Sequence, residues 1–177
     1  MFENLTGVVV EIGPGAGANL PFLPKGIMYH GIEPNDDLRK RAELLANQLG
    51  FRSAVVSGGF ADKLRHADDS VDTVIATFVL CSVSNQRAVL DEIYRVLRSG
   101  GQFMFIEHVS APEDSVAFQF QRLLTPLTRR ITCGCELDRD TVSAVKRAGF
   151  RYLKSYPTPS IGWKPLGPIV SAVAYKP

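Results

Sequence analysis

The sequence predicts one α/β domain: a doubly wound, mostly parallel sheet with an antiparallel hairpin at its C-terminal edge. Three observations lead there. Runs rich in valine, isoleucine and phenylalanine alternate with segments of helical spacing, the pattern of successive βαβ units. Two of those runs, residues 7–12 and 71–83, are almost continuously apolar, as strands covered on both faces must be. The last two runs have no helix between them, which favours antiparallel pairing.

Each element has its own reason. Residues 7–12 form the first strand and empty into glycines, and a short helix follows that Pro21 and Pro24 end or kink. "IMYHGIE" (27–33) is the second strand. "PNDDLRKRAELLANQLG" (34–50) is a helix, with Asn35 as N-cap, acids in its first turn and Gly50 at its stop. "FRSAVVS" (51–57) is the third strand, and residues 71–83 hold the fourth. "SNQRAVLDEIYRVLRSGG" (84–101) is a helix: Val89, Leu90, Ile93, Val96 and Leu97 share one face, and Gly100 and Gly101 end it. "QFMFIEHV" (102–109) is the fifth strand. A looser helix over about 114–130 is interrupted by Pro126, and "DRDTVSAVKRAGF" (138–150) is another, capped by Asp138 or Asp140. The two final strands lie within residues 151–177, joined by a loop rich in proline and glycine.

Composition excludes several classes. The chain has 177 residues, 45% apolar and 21% charged, with a formal net charge of +2, which fits one ordinary globular domain and gives no reason to expect nucleic acid as partner. No apolar run approaches the length of a membrane span, and the first residues lack the shape of a secretion signal. Cys81, Cys133 and Cys135 are too few for a disulfide framework, so a reducing, cytoplasmic setting is expected.

The informative stretch is "VVVEIGPGAG" (8–17). In a doubly wound sheet the ligand sits beyond the carboxyl ends of the strands, where strand order reverses. Gly13, Gly15 and Gly17 let the backbone approach a ligand there, and the N–H groups of a following helix favour an anion. Glu33 closes the second strand, twenty positions after Gly13, where an acid can accept both hydroxyls of a ribose. These features indicate a nucleoside cofactor. Glu11 chooses between two of them. A carboxylate two residues before the first glycine would repel the pyrophosphate of a dinucleotide, but it attracts the ammonium and sulfonium of S-adenosylmethionine (SAM). The loop also runs G-x-G-x-G, with Ala18 where a dinucleotide fingerprint would put its third glycine. Taken singly, Glu11 as a solvated strand end and Glu33 as a first-turn helix acid remain open; the ordered set favours SAM.

At this point the chain resembles a class I SAM-dependent methyltransferase, with a single Rossmann-like domain over residues 1–177. Residues 11–17 resemble that superfamily's first motif and Ile32-Glu33-Pro34 its second. The stretches "GGFADKLRHADDSVDTVIATFVLCSV" (58–83) and "RVLRSGGQFMFIEHV" (95–109) resemble its adenine and fifth-strand segments. "TFVLCSVSNQ", "FIEHV" and "GCELDR" narrow the likeness to the methyltransferase-like seven group, thiol methyltransferases of small molecules, and its bacterial relatives. The resemblance implies that Gly13, Gly15 and Gly17 meet the cofactor backbone and Glu33 its ribose. Ala61 would offer its amide to adenine with Asp62 beside it, and Thr77 and Phe78 would lie against the methionine end. There are two departures. Phe60 stands where the superfamily usually has an acid for the adenine amino group, so Asp62 is the candidate substitute. The first strand also begins close to Met1, without the helices that the family carries ahead of it.

Methyl transfer from a sulfonium is an in-line displacement, and a thiol acceptor is already partly ionised near neutral pH, so neither a metal nor a covalent intermediate is expected. His108, closing the fifth strand on the carboxyl edge, is the candidate catalytic base; orienting a loop or bonding Glu107 is the alternative. His30 and His66 lie in less promising contexts. Cys133 and Cys135 form a C-x-C, too small a ligand set for zinc, and would serve a soft ion only if the fold brings Cys81 to them. Phe118, Phe120, Leu123, Leu124 and Trp163 are candidates for an apolar acceptor pocket, with helix-core packing the commoner fate of the first four. The expected function is methyl transfer to a small, apolar acceptor, thiol favoured. A SAM-binding protein without turnover and a nicotinamide-dependent oxidoreductase are the competing readings, the latter disfavoured by Glu11.

Overall fold

The computed structural model describes residues 1–131, 134–156 and 168–177. Seven strands form one sheet: β1 (Val8–Ile12), β2 (Met28–Ile32), β3 (Ala54–Ser57), β4 (Val71–Thr77), β5 (Leu97–His108), β6 (Arg151–Tyr156) and β7 (Ile169–Tyr175), in the order β3-β2-β1-β4-β5-β7-β6. The first five are mutually parallel. β7 runs antiparallel between β5 and β6, giving the predicted C-terminal edge. After β3 the chain returns to the other side of β1, so strand order reverses between β1 and β4. The crevice for a ligand opens there.

The register of β1 divides its side chains between two cores. Val10 and Ile12 join Val74, Ala76, Phe103 and Phe105 on the face covered by α2 (Gln86–Val96) and α4 (Thr141–Arg147). Val9 points the other way, with Tyr29, Ile75 and Met104, under Ala42 and Ala46 of α1 (Asp36–Gln48). Covering both faces is why the central strands carry so little polarity.

The helix signals work as local chemistry predicts. Asn35 Oδ1 accepts the N–H groups of Asp37 and Leu38 at 3.0 Å, and Gly50 leaves α1 with φ +76°. Asn85 caps α2 through Ala88 N–H, and Val89, Leu90, Ile93 and Val96 are buried. Of the two cap candidates for α4, Asp140 takes the Ser143 N–H, while Asp138 accepts from the Thr125 hydroxyl.

Three expectations need correction. The glycine loop leads into a single 3-10 turn, Leu20–Phe22, instead of a helix, because Pro21 and Pro24 leave too little chain between them. The chain leaves α2 at Leu97, which is extended, so Gly100 and Gly101 lie within β5 rather than stopping the helix. The helix α3 (Val116–Ile131) runs through Pro126 without a break. Pro126 is exposed, so water can satisfy the Arg122 carbonyl that it leaves without an N–H.

Candidate active site

A groove of about 390 Å³ opens at the switch point, lined by Gly13, Gly15, Glu33, Pro34, Phe60, Ala61, Phe78, Val79, Ser82 and Val83 among others. A second hollow of about 340 Å³ adjoins it, sharing Pro34, Phe60, Ala61, Ser82 and Val83 and adding Asp62. The volumes suit a nucleoside-sized ligand.

The three glycines of the loop have different tasks, although all have positive φ. A Cβ on Gly13 would come within 2.6 Å of Val79, and one on Gly17 within 2.6 Å of Leu20, so both positions are required by packing. A Cβ on Gly15 would meet nothing within 4 Å. That glycine faces the groove. Glu33 ties the loop to the next strand: Oε2 accepts the Gly15 N–H and Oε1 the Asn35 N–H, both at 3.0 Å. Each carboxylate oxygen keeps a lone pair for a further donor.

Glu11 is buried and is not among the residues that line the groove. Its oxygens accept from the Tyr29 hydroxyl at 2.6 Å and the Asn19 amide at 2.7 Å, and Asn19 also donates to the Thr77 hydroxyl at 2.9 Å. Burial raises the Glu11 carboxyl above its ordinary range against the pull of these two donors. Tyr29 is raised too, by its own burial and by the Glu11 carboxylate. The acid of the first motif therefore binds the glycine loop to the ends of β2 and β4. Asn19 and Tyr29 were not singled out by the sequence; Asn19 closely follows the glycines, but nothing in the spacing marks Tyr29.

The opposite wall begins at Phe78, whose φ is +56°, an uncommon conformation for an aromatic residue. Its ring lies 5.0 Å from that of His108, at 36°. The His108 Nδ1 is buried with no hydrogen-bond partner among the described residues, and burial lowers the imidazole below its ordinary range. Glu107, next to it, points inward and is fully buried. Its Oε1 accepts the N–H groups of Val79 and Leu80 at 2.8 Å, and Oε2 that of Cys81 at 3.2 Å. Burial and the nearby Cys81 push this carboxyl up to about 8, against the opposing effect of the three N–H groups. This geometry makes Glu107 a structural partner of the turn after β4. His30 and His66 pair with each other at 2.8 Å, away from the groove lining.

Other candidates separate. Cys81 packs with Cys135 and Leu137 under Leu124. The bond to Cys135, then burial, raises the Cys81 thiol far above its ordinary range. Cys133 and Trp163 lie outside the described residues. Among the described residues no three His, Cys, Asp or Glu side chains form a metal-holding group, and no helix is long and apolar enough to cross a membrane. Helix-core packing, the commoner fate expected for the apolar residues of α3, fails for Phe120 and Leu123. Both are exposed, and they join Val116, Leu127 and Ile131 in a stripe on the outer face of α3. The inner face is polar instead: buried Gln121 donates to the carbonyls of Val109 and Leu137 and accepts the Ala111 N–H.

Comparison with known proteins agrees with this geometry. Residues 10–105 match the sequence family described as "Methyltransferase domain". The chain is 37% identical to the rat thiol S-methyltransferase TMT1B, over 95% of this chain and 70% of the relative. The human thiol S-methyltransferase TMT1A is equally close, at 37% identity over the same shares. The crystal structure of the Bacillus subtilis protein YcgJ superposes with a TM-score of 0.75 at 17% identity, covering 97% of this chain and 92% of that one, which supports the fold. The nicotinamide alternative falls with these findings. The chain belongs to the methyltransferase-domain family, as a relative of the TMT1 thiol S-methyltransferases, and is a SAM-dependent methyltransferase.

Proposed function

We propose that the groove binds SAM and that the protein passes its methyl group to a small apolar thiol. One observation carries the reading: Glu33, anchored on Gly15 N–H, stands at the lip of the groove beside the glycine whose missing Cβ leaves open space. Glu33 holds the ribose diol, and Gly13 and Gly15 lie against the cofactor backbone while Gly17 gives the turn its room. Ala61 and Asp62 flank the adenine, with Phe60 covering it. Thr77 and Phe78 border the methionine end. Glu11 acts there through Asn19 and Thr77, shaping the loop and contributing negative charge toward a cationic ligand.

The cofactor supplies an electrophilic methyl group on a sulfonium. The acceptor sulfur forms its bond to that carbon as the carbon–sulfonium bond breaks, and the thiol proton passes to His108 or to water. Burial favours the neutral imidazole, which is the form able to take a proton. Most of the rate then comes from alignment. A thiol is favoured because the TMT1 relatives carry that activity in their names and because Phe78 gives this end of the groove an apolar surface. A cytoplasmic location goes with a reduced Cys81.

The test is calorimetric titration with S-adenosylhomocysteine, with NADH as control, followed by turnover of benzenethiol. Binding of S-adenosylhomocysteine alone and methylation of the thiol are expected. A folded protein that binds neither nucleoside overturns the reading, and binding without turnover of any thiol overturns the thiol acceptor.

A further inference from the structure

Phe78 N–H still bonds the Ile106 carbonyl of β5, and beyond it the wall of the groove formed by residues 79–83 leaves the ladder of the sheet. β4 ends at Thr77, and beyond it the chain must stand up as a turn with Phe78 at positive φ. Such a conformation costs about 1–3 kcal/mol and persists only where the surroundings enforce it. Two side chains do so from opposite sides. From β5, the Glu107 carboxyl takes the N–H groups of Val79, Leu80 and Cys81. From the segment after α3, the Arg139 guanidinium donates to the carbonyls of Leu80 at 2.8 Å and Val83 at 2.7 Å. Lesser contacts complete the frame: the Glu136 N–H reaches the Cys81 carbonyl at 2.8 Å, and Gln86 reaches Leu80 O at 3.3 Å. Arg139 is itself steered by the Glu136 carboxylate at 2.6 Å, which also pairs with Arg129 of α3.

We propose that Glu107 and Arg139 are positioning residues for the cofactor site, a clamp that sets the shape of residues 78–83 and so the width of the groove between Gly13 and Val83. Neither touches the groove; both act through the backbone whose Phe78, Val79, Ser82 and Val83 line it. The clamp also joins the groove to α3. Arg139 links the cofactor wall to Glu136 and through it to α3, so a shift of α3 is felt at Leu80 and Val83. This inference rests on the reading of the groove as a SAM site.

Because Glu107 Oε1 carries both short bonds, a glutamine oxygen can keep them and lose only the 3.2 Å bond from Cys81 N–H, whereas a leucine leaves all three amides without this acceptor. The experiment titrates the full chain with S-adenosylhomocysteine and records the thermal midpoint of each variant. Glu107→Leu should weaken binding by about tenfold or more, equivalent to roughly 1.4 kcal/mol per decade, with Glu107→Gln within about threefold of wild type. Arg139→Met, which removes only the carbonyl side of the clamp, should also weaken binding by about tenfold. Asp72→Asn is the control: Asp72 holds Val8 N–H and Arg98 at the amino edge of the sheet, so its loss should lower the midpoint and leave affinity unchanged.

Wild-type affinity in a folded Glu107→Leu overturns the clamp. So does an Asp72→Asn variant that loses as much affinity at a similar midpoint, since stability alone would then explain the effect. If Glu107→Leu does not fold, Arg139→Met decides in the same way. A wild-type protein that binds no S-adenosylhomocysteine overturns the cofactor reading and, with it, the purpose assigned to the clamp.

Discussion

The two walls of the groove are built on different principles. The glycine-loop wall is assembled from neighbours in the chain: Glu33 reaches Gly15 and Asn35, and Glu11 reaches Asn19. Glu33 and Glu11 reach partners at most 18 residues away, although Asn19 also reaches Thr77, 58 residues on. The β4 wall is assembled from afar, Glu107 lying 26–28 residues from the amides that it holds and Arg139 lying 56–59 from its carbonyls. The first wall can be written as a motif. The second also depends on how α3 and the segment behind it pack, so substitutions well outside any motif can reach the groove through it.

The contrast between Gly15 and Gly17 gives the sharpest break of this comparison. Gly15→Val should weaken S-adenosylhomocysteine binding by about a hundredfold or more, because it fills space at the groove and strains a positive φ. Gly17→Ala should instead lower the thermal midpoint, by an amount equivalent to about 1–3 kcal/mol, with the larger effect on stability, since its Cβ meets Leu20 and Leu45. Equal effects on affinity would mean that both glycines face the ligand.

Glu33→Ala comes next. A hydrogen bond to a charged group is worth about 1.5–3 kcal/mol, so affinity should fall roughly ten- to a hundredfold in a protein that remains folded. Unchanged affinity would remove Glu33 from the site.

A pH series sharpens the second wall. The Glu107 carboxyl is raised from 4.5 to about 8. A group raised on folding contributes stability fully below its unfolded value and loses that contribution as pH rises through its folded one. Thermal midpoints from pH 5 to 9 should therefore fall more steeply in the wild type than in Glu107→Gln, and parallel curves would show that Glu107 does not titrate in that window. His108, lowered by burial, acts with the opposite sign in both proteins, so the difference between the curves isolates Glu107.

The smallest effect belongs to the outer face of α3. Leu123→Ser should change stability by less than about 0.5 kcal/mol, because Leu123 is 73% exposed. A larger loss would mean that the stripe from Val116 to Ile131 is covered in solution.

α3 also shows why part of the molecule was misread from sequence. Its apolar residues repeat with helical spacing, and such a repeat normally marks the buried face. Here the buried face holds Gln121, Thr125 and Thr128, because the segments beneath it present polar groups: Gln121 bonds the Val109 and Leu137 carbonyls, Thr125 the Asp138 carboxylate and Thr128 the Cys135 carbonyl. No periodicity rule contains that information. The turn at Leu20–Phe22 was misread for a simpler reason: the two prolines were visible, but not how little helix they would leave.

The sequence by itself determined the order of the strands along the chain, the N-cap of α1, the glycine loop with Glu11 and Glu33, and the methyltransferase family. These depend on residues close in the chain, where backbone geometry turns spacing directly into contact. Tertiary structure alone decided that Gly15 opens onto the groove while Gly17 packs inward, that Glu11 bonds Asn19 and Tyr29, and that Glu107 and Arg139 hold the far wall. Those outcomes depend on which backbone groups are left without partners after the sheet and α3 come together, and a buried polar group takes whatever partner the packing brings within reach.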